Sequence, residues 1–180
     1  MFSVLTLLEI TITAIWLMMP AYIPNICAAL VGRGIAIDFG KMFRDGKRIL
    51  GDGKTYRGFI LGVLSGIVVG LVQNFTVPYI GYPDFTTSAL ICLPLGAMTG
   101  DVVKSFFKRR FGLKQGVPLR LVDQLDLVLG AWVLTYAFSR EWFITNFTLH
   151  VMIAVIVITP ILHKTVNVIG YKLGKKDVPW

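Results

Sequence analysis

A chain of 180 residues with 55% hydrophobic content, a formal net charge of +8 and a mean hydropathy of +0.71 is too apolar for an ordinary soluble domain. Two cysteines and two histidines leave no cluster for a zinc or iron–sulfur site. The apolar residues fall in long blocks between charged clusters, the pattern of membrane spans, and the basic excess is expected to serve a membrane face with no nucleic-acid partner.

No charged residue occurs from Ile10 to Gly32, from Phe59 to Pro83, from Phe85 to Gly100, from Leu127 to Ser139, or, His150 apart, from Phe143 to Leu162. These runs predict an all-α polytopic bundle of five transmembrane helices forming one catalytic domain over 1–180. The spans are expected near 4–30, 58–80, 85–110, 122–140 and 144–172, with loops at 31–57 and 111–121. The first residues lack a basic leader region, so no cleavable signal peptide is expected. Cys27 and Cys92 lie inside spans and read as small packing residues.

In the first span Pro20 and Pro24 each remove an intrahelical hydrogen bond, and Pro94 does the same in the third. The loop that follows span 1, "IDFGKMFRDGKRILGDGKTYRGF", is glycine-rich and basic. Its glycines allow backbone N–H groups near phosphate oxygens, with Lys54, Thr55 and Arg57 as further donors. The "GKT" at 53–55 is not a P-loop, because Arg48 stands where that motif needs glycine. In span 2, Gly58, Gly62, Gly66 and Gly70 share one helix face, suited to close packing inside the bundle or to a homodimer interface.

At the end of span 3, "GDVVKSFFKRR" sets Asp101, Lys104, Ser105 and Lys108 on one face. Asp101 sits at the hydrocarbon boundary, where an ionisable group is costly and marks function, the plainer reading being a local ion pair with Lys104 or Lys108. Span 4 opens on "LVDQLD". Asp123 and Asp126 there suit helix capping. A short connection from span 3 also brings three carboxylates toward one depth amid lysine and arginine, which suggests Mg²⁺ shared with phosphate.

With an odd number of crossings, seventeen of the eighteen Lys and Arg residues fall on one side, with only Arg140 opposite. That side is expected to be cytoplasmic, with the N-terminus outside and the C-terminus cytoplasmic. Seven of the ten acidic residues share that face, as a site that handles charge would require. A transporter would instead place ionisable groups near the midplane or on a path to the outer face. A CDP-alcohol phosphotransferase would carry an Asp-Gly-x2-Ala-Arg element, which is absent.

"SFFKRRFGLK" followed by "LVDQLD" resembles the signature of the membrane-bound phosphatidate cytidylyltransferases. Ser105, Lys108, Arg109, Lys114, Asp123 and Asp126 occupy the matching positions. The loop is shorter, a His-Gly-Gly before the aspartates is missing, and Gln124 stands where arginine is usual. With "IDFGK…DGKRILGDGKTYRGF" and the ending "GYKLGKKDVPW", these departures are similar to the archaeal branch of that family. The resemblance implies transfer of CMP from CTP to the phosphate of 2,3-bis-O-(geranylgeranyl)-sn-glycerol 1-phosphate, giving a CDP-activated ether lipid and pyrophosphate.

Under that chemistry a lipid phosphate needs no catalytic base, and the barrier is repulsion between polyanions. Asp101 and Asp123 are then expected to hold Mg²⁺, and Asp126 to bind it or to orient its ligands. Lys54, Lys104 and Lys108 are expected to neutralise phosphate, and Asp38, Asp52, Thr55 and Arg57 to help bind CTP. The first loop is the candidate substitute for the missing His-Gly-Gly. His163, Asn167 and Lys172 are placed near the same cavity.

Overall fold

The computed structural model describes residues 4–113, 122–172 and 174, with the side chains of 122–124 also outside the description. Among the described residues there are six helices: α1 (Val4–Val31), α2 (Tyr56–Ile80), α3 (Thr87–Arg110), α4 (Val122–Phe138), α5 (Arg140–Asn146) and α6 (Leu149–Lys172). Four of them, α1, α2, α3 and α6, are long and apolar enough to cross a membrane. The 17 residues of α4 span about 26 Å at 1.5 Å per residue.

Local chemistry sets the helix ends. Thr55 and Thr86 have extended backbones and accept from the amides of Gly58 and Ala89, capping α2 and α3. Gly81 closes α2 in the left-handed region and donates to Val77 O. Buried Ala14, Leu17, Met18 and Ala21 of α1 meet Ala89, Leu93 and Ala97 of α3, with Leu127 and Ala131 of α4 and Val155 of α6 completing the core. Ile60, Leu64, Val68, Leu71 and Phe75 stay exposed along α2, the outward apolar face that lipid covers.

The final span is shorter than the expected 144–172. Ser139 leaves helical geometry (φ −143°, ψ 48°) and α5 forms a separate short helix before α6. Its aromatic residues explain the break: Trp142 and Phe143 are buried, stacking among Phe85, Trp132 and Phe147 at this end of the bundle. Trp142 Nε1 also donates to Asp84 O at 2.7 Å. The aromatic run packs inward as a plug, so it does not extend the following helix.

The glycines of α2 are consumed within the chain. Gly58, Gly62, Gly66 and Gly70 are all buried. A β-carbon at Gly58 would lie 3.1 Å from Gly32 Cα, at Gly62 3.0 Å from Pro24 O, and at Gly66 2.8 Å from Pro24 Cγ. That face lies against α1 and α3, so of the two uses open to the glycine row the close packing inside the bundle is the one present. α1 runs as one helix through Pro20 and Pro24, whose rings and carbonyls fill the glycine positions.

An equally close crossing joins α3 to α4. A β-carbon at Gly130 would strike Gly96 O and lie 2.8 Å from Gly100 Cα, and one at Gly100 would strike Asp126 O. Backbone meets backbone there, the small-residue packing that membrane helices use in place of a hydrophobic drive.

Candidate active site

Residues 32–55 form a compact lobe above α2 and α3, tied by antiparallel bridges between Ala36 and Thr55 and between Met42 and Arg48. Asp38 is its organising residue. The fully buried carboxylate accepts from the amides of Gly40, Leu50 and Gly51 at 2.9 to 3.1 Å and pairs with Arg48 Nη2 at 2.8 Å. Hydrogen bonding from Arg48 holds the Asp38 carboxyl well below the usual carboxylate range; burial opposes this, and the three amides add to it. The turn it directs leaves Phe39 at φ 47°, a left-handed backbone that costs a β-substituted residue on the order of 1 kcal/mol.

Two arginines bolt the lobe onto α3. Arg109 Nε donates to Leu50 O at 3.1 Å. Arg110 pairs with Asp45 at 2.5 Å, donates to Arg48 O, and lies 4.6 Å from the centre of the Phe43 ring.

Replacing Asp38 with asparagine is expected to loosen the lobe by about 2 kcal/mol, a factor of roughly 30. Hydrogen exchange at the Leu50 and Gly51 amides would read this loss directly. Because the folded carboxyl is lowered, its stabilisation is present above the ordinary value near 4 and is lost as pH falls through the folded value. Protection of those amides, corrected for intrinsic exchange, should therefore stay level from neutral pH to about 5 and fail only in stronger acid.

Beneath the lobe lies a polar cavity of about 220 Å³, lined by Asn25, Lys54, Thr55, Asp101, Lys104 and His163, among others. Lys54, from the end of the lobe, pairs with Asp101 Oδ2. Lys104 Nζ lies 3.1 Å from Asp101 Oδ1 and 2.7 Å from Asp126 Oδ2. The result is a ladder of alternating charge, Lys54–Asp101–Lys104–Asp126, joining the lobe, α3 and α4. The Gly100 crossing makes the last rung possible, since it sets the backbone at Asp126 directly against α3.

On the other side of Lys104 an almost wholly apolar groove of about 1090 Å³ runs between α3 and α4. Val103, Phe107, Leu129 and Val133 line its length, and Lys104, Lys108 and Asp126 border its polar end. Lys104 thus touches both compartments.

Asp101, Lys104, Asp126 and Lys54 come together as expected, and Lys108 is at the groove mouth. Asp101 meets two lysines, so the local ion pair is realised as part of a larger array. Thr55 lines the polar cavity while its hydroxyl caps α2 and donates to Gly32 O at 2.5 Å. Asp38 serves the lobe internally. The Asp52 side chain is 79% exposed on Arg48, and Arg57 is exposed. Ser105 donates to Asp101 O, and Arg109 holds the lobe, so neither directs a polar group into the cavity as described. Lys114 and the side chain of Asp123 lie outside the described residues, although the Asp123 backbone belongs to the first turn of α4.

Arg48, Arg110 and the α3–α4 glycines were not singled out from the sequence. The four-residue spacing of Gly96 and Gly100, with Gly130 four residues after Asp126, was the available signal for the crossing. Nothing local marks the Asp38–Arg48 pair, whose members sit ten residues apart in a segment without periodicity.

The described residues contain no group of three acidic, histidine or cysteine side chains placed to hold a metal. Asp126 nonetheless presents a buried Oδ1 with no hydrogen-bond partner among them. A buried oxygen donor left open in this way, one helical turn from Asp123, is of the kind Mg²⁺ takes, whereas both oxygens of Asp101 are held by Lys54 and Lys104.

The charged ladder thus stands where a polar cavity meets an apolar groove, within a helical bundle of this length and hydropathy. Residues 7–180 match the model of the CarS-like family, described as CDP-archaeol synthase. CDP-archaeol synthase of Methanospirillum hungatei JF-1 is 52% identical over 168 residues, covering 91% of this chain and all of its own length. Those of Methanosarcina mazei and Methanocella arvoryzae are 51% and 53% identical, again covering 91% of this chain and all of theirs. A solved structure of an intramembrane enzyme for archaeal membrane lipids biosynthesis superposes with a TM-score of 0.72 at 32% identity, covering 86% of this chain and 92% of that one. The chain belongs to the CDP-archaeol synthase family.

Proposed function

We propose that this chain transfers CMP from CTP to the phosphate of 2,3-bis-O-(geranylgeranyl)-sn-glycerol 1-phosphate, releasing pyrophosphate. It is a cytidylyltransferase of archaeal phospholipid biosynthesis, as its family membership and half-identical relatives indicate. The observation that carries the mechanism is the position of Lys104 on both the polar cavity and the apolar groove.

On this reading the triphosphate enters the polar cavity and the isoprenoid chains lie in the α3–α4 groove, still in contact with lipid. Lys104 and Lys108 at the groove mouth meet the lipid phosphate, and Lys54 meets the nucleotide phosphates. An oxygen of the lipid phosphate attacks the α-phosphorus in line, and the bond from that phosphorus to the bridging oxygen breaks. Pyrophosphate leaves with that electron pair. The lipid phosphate is already ionised, so no residue has to remove a proton.

Lysine charge beside the reacting phosphates lowers their mutual repulsion and stabilises the leaving group. Asp101, Asp123 and Asp126 would hold Mg²⁺, which supplies further neutralisation of the triphosphate when bound. The basic bias supports five crossings with the N-terminus outside and the site on the cytoplasmic face.

The test is CTP- and Mg²⁺-dependent production of CDP-lipid and pyrophosphate by purified protein given the geranylgeranyl ether phosphate. Asp123→Asn, folded as judged by thermal melting, should lose at least about a hundredfold of that turnover. Near-normal turnover would make Asp123 a helix cap alone. A folded wild type that makes neither product would overturn the substrate assignment.

A further inference from the structure

The lobe carries apolar side chains that its own fold leaves uncovered. Ile35 is 67% exposed, Phe39 63% and Tyr56 43%. They form one group at the root of the lobe. Tyr56 N donates to Ile35 O at 3.1 Å, and the Phe39 and Tyr56 rings are 5.4 Å apart. Ile35 follows the end of α1 by four residues and Tyr56 opens α2, so the group sits level with two helix ends at the membrane boundary.

The charges next to it in sequence are mostly basic, and the exposed Asp52 is paired with Arg48. Arg33, Lys41 and Arg57 are exposed beside it, and the nearest acid in sequence, Asp38, is buried and paired with Arg48. A β-carbon at Gly34 would lie 3.6 Å from Arg57 Cβ, which puts that arginine against the same edge. Phe39 has the only positive φ of a non-glycine among the described residues. Its amide donates to Ala36 O at 3.0 Å while Asp38 Oδ1 accepts from Gly40, so an internal carboxylate turns the ring outward. A strained backbone that displays an aromatic ring to water would cost twice, once in strain and once in exposed area.

We infer that the Ile35–Phe39–Tyr56 edge is an interfacial anchor that seats the lobe in the anionic headgroup layer of the protein's own bilayer. Aromatic and aliphatic side chains enter the headgroup–acyl boundary, and the flanking basic residues meet lipid phosphates. Continuity with the spans and the basic excess at the rim favour lipid over a protein partner. Seated in this way, the lobe that carries Lys54 has its height fixed above the site.

The experiment uses full-length protein in phosphatidylglycerol vesicles, with nitroxide labels at Phe39→Cys or Ile35→Cys in a Cys27→Ala, Cys92→Ala background. Accessibility to oxygen is compared with accessibility to a water-soluble nickel complex, with a label at Arg44→Cys as the reference. Positions 35 and 39 should favour oxygen over nickel by roughly threefold or more relative to position 44. Adding Arg33→Glu and Lys41→Glu should erase most of that preference. Aqueous readings at both positions would overturn the anchor, and so would protection from both reagents, which would indicate a protein cover. A Phe39→Trp chain with its native cysteines gives an independent reading. Its added fluorescence should be quenched by brominated phosphatidylglycerol, and unquenched emission typical of water would again refute the anchor.

Discussion

Replacing Lys104 with methionine is expected to lower kcat for CDP-lipid formation at least about a hundredfold, the scale seen when one donor to developing charge is removed. Methionine keeps much of the buried stem and deletes only the ammonium, so the loss would be electrostatic. Three consequences converge at this position. Asp126 loses the ammonium 2.7 Å from its Oδ2, Asp101 loses one of its two lysines among the described residues, and the boundary between cavity and groove loses its charge. Because the repulsion between the lipid phosphate and the triphosphate is greatest as the new bond forms, kcat should fall more than the KM for CTP rises. Lys104→Arg should recover only part of the activity, since a planar guanidinium does not occupy the place of a compact ammonium between two carboxylates. Steady-state kinetics on protein of wild-type melting behaviour decides the matter. An unchanged kcat would reduce Lys104 to a tie between α3 and α4.

The second large effect concerns a residue with no functional group. Gly130→Val should destabilise the bundle by about 3 kcal/mol or prevent its assembly, because overpacking against backbone has no soft partner to yield. A β-carbon there meets Gly96 O and Gly100 Cα, and neither can move without displacing a helix. Gly70 offers the contrast. Its β-carbon would meet the tip of Leu90, a flexible side chain, so Gly70→Ala should melt close to wild type while Gly130→Ala does not. Thermal unfolding in one detergent compares the three. Activity in Gly130→Ala should fall beyond what the folded fraction explains, since the same crossing carries Asp126 to Lys104. Equal melting of all three proteins would mean that the α3–α4 contact does not set the stability of the bundle.

The long apolar helices were readable because lipid imposes a simple demand, an uncharged run of sufficient length. For the same reason α5 was not separated from α6. The apolar triplet Trp142, Phe143 and Ile144 looks alike whether it faces lipid or folds inward, and only the neighbours of Trp142 and Phe143 distinguish the two. Asp101, Lys104 and Asp126 were legible as costly charges at a span boundary, and their convergence follows from the antiparallel course of α3 and α4. The glycine row of α2 was visible too, but its partner was not, because spacing reports a flat face and says nothing of what lies against it. The lobe was the least legible part. Its order rests on one buried carboxylate gathering three amides and a distant arginine, and no periodic pattern announces such a centre.

The cavity and the groove share a wall made in part by Lys104. On the proposed chemistry, a nucleotide that never leaves water and a lipid that never leaves the membrane meet across a partition one side chain thick. Neither molecule has to be extracted from its own phase for the new bond to form. The cost of moving twin isoprenoid tails through water, or a triphosphate through hydrocarbon, is removed from the reaction by where a single ammonium group is placed.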